Sequence, residues 1–454
     1  MSYETAVAQM YALGHELAQT PAHKFDLAHM RVLLGALGHP EKNFLSVLIA
    51  GTNGKGSTAA TLASILQASG LKTGLYTSPH LVRINERIRL DGNAISDEDF
   101  ALLHDAVGRT AERLVAEGDL PWPPSFFEML TAIAFEYFAR NRPDIVVLEV
   151  GMGGRLDATN VVEPHLSVIT DVSLDHQKYL GETVGEIARE KAGIVRQGGV
   201  VVTLPQMPEA NDVIGNAILD AGARAVNAVL YVPPVSPGSS QYLVPGVENA
   251  APRGLRQQYP LDILGEKIVV DSPLIGRHQL RNLALAIAAA IELREQGFTQ
   301  VTPYSIERGI RETHWPGRFQ VMPASAGRPE FVLDVAHNPA GAWALRSTLS
   351  AAKEDRAITL VFGVMRDKAM AEMTEILFPI ADRVIVTQAD NPRSATAEEI
   401  RQAAHRVVEE MTDAESVASA LELASSSAGP LGLVVVTGSI YIVGEAMRTL
   451  GIRI

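Results

Sequence analysis

The stretch SVLIAGTNGKGST, residues 46–58, organises the rest of the sequence. Residues 46–50 form a short apolar run typical of a buried strand, and the glycine-rich residues 51–57 separate it from a helical pattern. Glycines let successive backbone N–H groups point at one anion, and a helix N-terminus adds partial positive charge. Lys55 supplies a full charge for the β- and γ-phosphates. The stretch therefore predicts a strand–loop–helix unit that binds the phosphates of ATP.

This loop departs from the usual phosphate-binding pattern GxxxxGK[ST] in two ways. Its first spacer is shorter, and Gly56 separates Lys55 from Ser57 and Thr58, whose hydroxyls suit a metal or a phosphate. A glycine-rich turn that binds nothing is the alternative. The flanking strand, the following helix and the lysine together favour phosphate binding.

Short apolar segments alternate with helical segments around this loop. The predicted strands are 46–50, 73–77, 144–150, 166–170 and 199–203, and the predicted helices are 57–69, 97–117, 125–140 and 183–195. Apolar strands separated by helices indicate a parallel sheet covered on both faces. Ligands of such sheets bind beyond the carboxyl ends of the strands.

The pattern changes at residues 226–272, where prolines and glycines punctuate short segments that we interpret as irregular β structure or an insertion. Further along, the predicted helices are 280–296, 340–353, 369–378, 397–410 and 416–425, the predicted strands are 331–335, 358–363, 383–387 and 433–437, and a linker is predicted at 297–303. We therefore predict an α/β protein. Residues 1–298 form a P-loop ATPase-type domain with a mostly parallel sheet, and residues 299–454 form a smaller Rossmann-like α/β domain.

Composition excludes several classes of protein. The 454 residues carry a formal charge of −13, which argues against non-specific binding to nucleic acid or an anionic membrane. The absence of cysteine excludes disulfides, thiolate catalysis and cysteine-ligated zinc. The N-terminus lacks the pattern of a secretion signal, and the uncharged stretch 423–444 is broken by serine, glycine and proline. We therefore expect a cytoplasmic protein with neither nucleic-acid nor membrane partners.

Three polar side chains follow other predicted strands. They are Ser78, Glu149 and His176. If the sheet is parallel, all three face the phosphate loop. Ser78 and Glu149 offer oxygen donors suited to Mg²⁺, whereas imidazole is a less usual partner for this ion. The alternative to a metal site is that Glu149 is merely solvated and that His176 has only a structural role.

Laid out in this way, the chain resembles the folylpolyglutamate synthase/dihydrofolate synthase family of the Mur ligase superfamily. The segments that carry the resemblance are AGTNGKGST (50–58), YTSPHL (76–81), NERI (85–88), LEVGMGGRLDATN (148–160), LDHQKYLG (174–181), REKAGI (189–194), HWPGRF (314–319), DVAHNP (334–339) and TGSIYIVGE (437–445). The resemblance implies an amide ligation in which ATP phosphorylates a carboxylate and L-glutamate attacks the resulting acyl phosphate. The acceptor is a folate γ-carboxylate, or dihydropteroate for the synthase step.

The resemblance also implies roles for individual residues of the first domain. The phosphates are held by Asn53, Gly54, Lys55, Gly56, Ser57 and Thr58. One Mg²⁺ is bound by Ser78 and Glu149, and a second by His176 and Lys191. In this family that lysine carries a CO₂-derived carbamate, which turns a cation into an oxygen donor. Lys55, Glu149, His176 and Lys191 are the implied catalytic residues.

Further roles involve the second domain. Asn282 resembles a nucleotide contact of the first domain, while Arg318 and Asp334 match ATP contacts of the second. His337 and Ser439 match candidates for nucleotide or glutamate binding. The active site is then expected in the cleft between the domains, whose closure expels water.

The implied folate pocket uses three segments. They supply Asp26, Leu27, Arg31, Ser125, Phe126, Phe127, Glu128, Leu156, Asp157 and Ala158. The first segment is usually D-L-G-L-x-R, but here Ala28 and His29 replace the Gly-Leu pair, which weakens the case for dihydropteroate. Ser125 and Glu128 also fit a capping box, and both roles are compatible.

Two other functions remain open from sequence. One is a Mur-type ligase that acts on another carboxylate, such as a peptidoglycan precursor. The other is a non-catalytic nucleotide binder, against which the combination of Glu149, His176, Lys191 and Asp334 argues. The expected partners are small-molecule substrates, and a monomer is the default for a two-domain enzyme of this kind.

Overall fold

The chain, seen in a computed structural model, divides by its contacts into two units. One comprises Met1–Val232 and Asn282–Gly309, and the other comprises Pro233–Arg281 and Ile310–Ile454. The predicted functional division at residues 298 and 299 stays a prediction. The structure describes residues 1–14, 27–234, 243–245, 255–325, 327–352, 356–404, 407, 410–429 and 431–452.

The first unit is built on an eight-stranded sheet. Its strands are β1 (Ser46–Ala50), β2 (Thr73–Tyr76), β3 (Ile88–Leu90), β4 (Asn93–Ala94), β5 (Ile145–Glu149), β6 (Leu166–Ile169), β7 (Val200–Thr203) and β8 (Arg224–Asn227). Their spatial order is β4-β3-β2-β5-β1-β6-β7-β8. The six strands from β2 to β8 in that order run parallel, while β3 and β4 form an antiparallel edge. Strand β1 is buried along its whole length, as its apolar sequence predicts.

Helices accompany these strands. They are α1 (Tyr3–Ala12), α2 (Leu27–Ala36), α3 (Lys55–Ala68), α4 (Asp97–Glu117), α5 (Phe126–Asn141), α6 (Gln177–Leu180), α7 (Val184–Ala192) and α8 (Pro208–Asp220). Most of α9 (Arg277–Glu295) and of α10 (Pro303–Glu312) also belongs to this unit. Side chains from α4, α5 and the sheet form one apolar core. Within the described residues, no helix is long and apolar enough to cross a membrane.

A small antiparallel sheet lies in the second unit. It consists of β9 (Leu243–Pro245), β10 (Leu255–Ile263) and β11 (Glu266–Ser272). The interpretation of residues 226–272 as β structure is therefore confirmed for these segments, although the β10–β11 hairpin is regular. Arg256 and Asp271 form an ion pair of 2.6 Å across this hairpin.

The second unit also contains a six-stranded sheet with the order β12-β13-β17-β14-β15-β16. Its strands are β12 (Gln320–Met322), β13 (Glu330–Leu333), β14 (Ile358–Phe362), β15 (Arg383–Val386), β16 (Thr412–Asp413) and β17 (Leu433–Thr437), and its helices are α11 (Pro339–Ala352), α12 (Met370–Leu377), α13 (Ala397–Ala404), α14 (Val417–Ala428) and α15 (Ile440–Thr449). All pairs are parallel except β12 with β13. The predicted α/β class is confirmed. Most of the predicted helix 397–410 beyond Ala404 lies outside the described residues.

Candidate active site

The glycine-rich loop connects β1 to α3 in the first unit. Helix α3 begins at Lys55, directly after Gly54 in a left-handed conformation with φ 89°. The backbone N–H groups of Thr52 and Asn53 donate to the carbonyl of Asp171 at 2.8 and 3.2 Å. The Lys55 ammonium donates to the Thr52 carbonyl at 3.3 Å. The loop is therefore held by the chain that follows β6, and its lysine lies against the loop.

Asn282 lies directly beside this loop. A Cβ atom added at Gly54 would stand 2.1 Å from the Asn282 Oδ1 atom, so a side chain at this position would displace the Asn282 amide. The Thr58 hydroxyl donates to the Asn282 carbonyl at 3.5 Å. The first N–H groups of a helix have no intrahelical partner, so the start of α3 offers donors to an anion.

Ser78 and Glu149 come together at the neighbouring strand ends. Glu149 is the last residue of β5 and pairs in register with Ile49 of β1. Its carboxylate is buried, and the Oε2 atom accepts the backbone N–H of Ser78 at 3.1 Å. Parallel pairing thus places both residues at the edge of the sheet that carries the phosphate loop.

Lys191 is a buried amine next to the same loop. Its Nζ atom donates to the Gly51 carbonyl at 2.8 Å, and only 3% of the residue is exposed. Burial, reinforced by the charge of Lys55, lowers the pKa of Lys191 to about 7, against the opposing charges of Asp175 and Asp157. An amine with such a pKa is neutral in a large fraction of molecules near pH 7.

His176 begins helix α6 after β6. It adopts a left-handed backbone conformation with φ 51°, and its N–H donates to the Asp175 carboxylate at 2.8 Å. The other oxygen of Asp175 lies 3.9 Å from the His176 Nε2 atom. Asp175 therefore holds the backbone of His176 through this N–H bond.

Glu149 and Ser78 offer oxygen donors of the kind that Mg²⁺ prefers. In the described part of the chain, no group of three or more His, Asp or Glu side chains is placed to hold a metal ion. Mg²⁺ commonly takes one or two carboxylates and completes its shell with water and substrate phosphates. Glu149 beside Ser78, at the edge of a phosphate loop, matches that chemistry.

The three segments predicted to form the folate pocket pack together in the first unit. Helix α2, which carries Leu27 and Arg31, contacts α5 and the 3₁₀ helix Ala158–Val161. Helix α5 contacts the same 3₁₀ helix. Asp26 lies outside the described residues. The spacing of residues along the sequence does not predict that α2, α5 and Ala158–Val161 pack against one another.

Residues at the start of α5 are held by specific contacts within the first unit. Phe126 is buried and stacks on Tyr11 at 5.9 Å, with the Arg87 guanidinium 5.3 Å from its ring. Phe127 lies against Gly151, where an added Cβ would stand 2.5 Å from the ring. Ser125 and Glu128 form the predicted capping box at the start of α5.

Asp157 supports the backbone of the loop that follows Glu149. Its carboxylate accepts the N–H of Met152 at 2.9 Å and the N–H and hydroxyl of Thr159 at 3.0 and 2.6 Å. Burial raises the pKa of Asp157, although these hydrogen bonds oppose the effect. Leu156 and Ala158 flank this carboxylate in the chain.

The second unit gathers its own predicted residues at the carboxyl ends of β13 and β17. The Asp334 carboxylate accepts the N–H groups of Phe319 and Ala336 at 2.8 and 2.9 Å. Burial raises the pKa of Asp334, with the charge of Arg318 as the main opposing effect. His337 bonds through Nδ1 to its own turn, at the Val335 carbonyl. Ser439 follows β17 and caps α15.

Several residues that hold the loop were not predicted. The Thr170 hydroxyl donates to the Asn53 carbonyl at 2.8 Å, and the Thr52 hydroxyl donates to the Ser173 carbonyl at 3.0 Å. The available signal was the position of Thr170 and Ser173 after β6, at the same edge of the sheet as the loop.

Comparison with known proteins agrees with this architecture. The Mur ligase middle domain matches residues 127–290, and the Mur ligase glutamate ligase domain matches residues 317–440. The chain is therefore a Mur-type ligase, an enzyme that couples ATP to the joining of an acid and an amino acid.

Relatives that align along nearly their whole length identify the family within this class of ligases. The chain is 34% identical to dihydrofolate synthase/folylpolyglutamate synthase of Bacillus subtilis over 94% of this chain and 95% of that protein. It is also 34% identical to folylpolyglutamate synthase of Lacticaseibacillus casei over 99% of both. The chain belongs to the folylpolyglutamate synthase/dihydrofolate synthase family.

Solved structures give the same result. Folylpolyglutamate synthase of Mycobacterium tuberculosis, complexed with ADP and AMPPCP, superposes with a TM-score of 0.83 at 32% identity and covers 99% of each chain. FolC of Escherichia coli, in complex with DHPP and ADP, superposes with a TM-score of 0.80 at 29% identity, covering 99% of this chain and 98% of that one.

Proposed function

We propose that this enzyme uses ATP to join L-glutamate to the γ-carboxylate of a folate, with dihydropteroate as a candidate second acceptor. One observation carries the proposal. The phosphate loop, the Glu149 carboxylate and the buried Lys191 amine share one sheet edge, with Lys191 Nζ 2.8 Å from the Gly51 carbonyl. Relatives of similar length carry the folate names, and solved relatives hold ADP, AMPPCP and DHPP.

The first chemical step is phosphoryl transfer. An oxygen of the acceptor carboxylate bonds to the γ-phosphorus of ATP as the bond to the bridging oxygen breaks, and ADP leaves. The charge of Lys55 and the N–H groups at the start of α3 stabilise the charge that develops on the phosphoryl oxygens. Asn53, Gly54, Gly56, Ser57 and Thr58 complete the proposed phosphate site.

The second step forms the amide. The glutamate amine nitrogen bonds to the acyl carbon, phosphate leaves with the electrons of the carbon–oxygen bond, and the nitrogen loses a proton. We assign glutamate binding to His337 and Ser439 and further ATP contacts to Asn282, Arg318 and Asp334. For the second unit, this assignment rests on the geometry of that unit alone.

Two Mg²⁺ ions, when bound, would neutralise charge on the phosphates. Ser78 and Glu149 would hold one ion, and His176 with Lys191 would hold the other. We further propose that Lys191 carries a carbamate, because its lowered pKa leaves a neutral amine able to attack CO₂ and release a proton. The carbamate oxygens would supply the hard ligand that imidazole lacks.

The test is a product screen by mass spectrometry. Purified enzyme is given ATP, L-glutamate and either a reduced folate, dihydropteroate or a peptidoglycan precursor carboxylate. A mass increase by one glutamate residue on the folate supports the proposal, whereas a product only with the peptidoglycan precursor contradicts it. A cytoplasmic location and a monomeric state stay predictions from the sequence.

A further inference from the structure

His29 occupies a buried position that links two of the proposed acceptor segments. It lies on α2 with 6% of its surface exposed. Its Nδ1 atom lies 3.1 Å from the Glu128 Oε1 atom, and its Nε2 atom lies 3.0 Å from the Trp122 carbonyl. The Trp122 ring stacks on the imidazole, with centroids 5.7 Å apart and an interplanar angle of 16°. One side chain thus joins α2, the loop before α5 and the first turn of α5.

The hydrogen-bond partners of His29 fix where its protons are. A carbonyl oxygen only accepts, so the Nε2 atom that faces Trp122 carries hydrogen. The Nδ1 atom faces a carboxylate oxygen of Glu128, whose other oxygen accepts the Ser125 N–H at 2.8 Å. A proton therefore lies between His29 and Glu128. This hydrogen bond is directional, so it holds the His29 and Glu128 side chains in a fixed orientation.

A change at His29 would be transmitted through α5 to the chain that follows Glu149. Glu128 belongs to the first turn of this helix, and Phe127 in the same turn lies against Gly151, two residues beyond Glu149. The loop before the turn contains Pro123 and Pro124, which restrict its backbone. A shift of the first turn of α5 would therefore move the Phe127 ring relative to the chain that follows Glu149.

We propose that His29 is a positioning residue for the carboxylate acceptor. By holding Glu128 and the Trp122 carbonyl, it fixes α2 and the first turn of α5 in the arrangement that binds the folate or dihydropteroate. The inference rests on the proposed function. A leucine, the residue of the family pattern at position 29, would have no donor for the buried Glu128 carboxylate.

Steady-state kinetics with His29→Leu test this role. We expect the KM for the reduced folate or dihydropteroate to rise about tenfold, because small misplacements of binding groups have large effects. The KM for ATP should change less than twofold, because the phosphate loop lies on β1 and α3. His29→Asn keeps an amide donor for Glu128 and should restore part of the acceptor affinity.

The matched control is His104→Leu, which replaces another buried histidine, on α4. It should leave both KM values unchanged. If His29→Leu is too unstable to purify, His29→Ala supplies the same comparison, since alanine also lacks a donor for Glu128. Unchanged acceptor KM values in the variant that lacks a donor, or equal changes in the KM for acceptor and ATP, would overturn the inference and leave the proposed function intact. No glutamate-dependent turnover by the wild-type enzyme would overturn both.

Discussion

Glu149 accepts the backbone N–H of Ser78 at 3.1 Å, from the strand next to the one that carries the phosphate loop. This bond requires an acceptor oxygen at position 149 but not a negative charge. A substitution that keeps an oxygen but removes the charge therefore separates the geometric role of Glu149 from its electrostatic role.

Glu149→Gln makes that separation. The amide oxygen still accepts the Ser78 N–H, so the fold should be retained, but the negative charge is lost. We expect kcat to fall on the order of 10²-fold, with a higher Mg²⁺ concentration needed for half-maximal rate. A Mg²⁺ titration of ADP release measures both. Glu117→Gln, on the exposed side of α4, is the control. A wild-type Mg²⁺ response in Glu149→Gln would rule out the assigned role.

Gly54→Ala tests the approach of Asn282 to the loop. The added Cβ would lie 2.1 Å from Asn282 Oδ1, so the Asn282 side chain or the loop must move. We expect kcat/KM for ATP to fall on the order of 10²-fold, because the phosphate donors lose their alignment. Gly70→Ala is a matched control, since Gly70 has a similar φ of 83° but open space around it.

The control separates backbone strain from the steric clash. Both alanines adopt a left-handed conformation, which costs about 1–2 kcal/mol of folding free energy. Only Gly54→Ala should lose ATP affinity, measured by calorimetry. Similar ATP affinity in both variants would show that the contact with Asn282 does not shape the nucleotide site.

Lys191→Ala tests the carbamate. Removing the side chain should lower turnover by about 10²-fold or more. Acetate or formate should partly restore it, because a small carboxylate can replace the lost oxygen donors. In the wild-type enzyme, ¹³CO₂ should give a carbamate resonance in NMR spectra that is missing from Lys191→Ala. An unmodified Lys191 in an experimental structure with two metal ions would contradict the proposal.

His104 provides a test of stability against pH. Burial lowers the pKa of His104, and its Nδ1 atom has no hydrogen-bond partner among the described residues. The unfolded chain binds this proton near the ordinary value of about 6.5, while the folded chain binds it only at lower pH. The folded state should therefore lose stability as the pH falls below that value.

His104→Leu should reduce this loss. Urea unfolding between pH 7.5 and about 5 measures the free energy of unfolding for both proteins. The difference in free energy, variant minus wild type, is expected to shift in favour of the variant as the pH falls. A difference that stays constant with pH would show that His104 titrates normally in the folded state.

Much of the fold follows from local sequence signals. The predicted helix 97–117 matches α4, because the Ser96 side chain accepts the Asp99 N–H and Gly118 ends the helix with φ 85°. Strand β1 matches its predicted range, because an apolar run ends at a glycine loop. The helix predicted at 183–195 ends earlier, at Ala192, where Gly193 approaches the Arg155 side chain.

The less predictable parts of the site depend on non-local packing. Lys191 sits in a charged helical pattern that is typical of a solvated face, but the fold buries it and its Nζ atom donates to the carbonyl of Gly51, 140 positions earlier in the chain. His29 and Glu128 are separated by 99 positions, so no local pattern predicts their contact. The resemblance to a family supplied the proposed role of Lys191, but it did not predict the His29 contact.

The central claim is tested most directly by measuring ADP release with ATP and Mg²⁺ in the presence and absence of L-glutamate. One set of reactions contains a reduced folate and the other contains dihydropteroate. The proposed function predicts ADP release that requires both glutamate and acceptor, in equal amount to the amide formed. ADP release that is the same with and without glutamate, or ATP binding without any turnover, would contradict the proposed function.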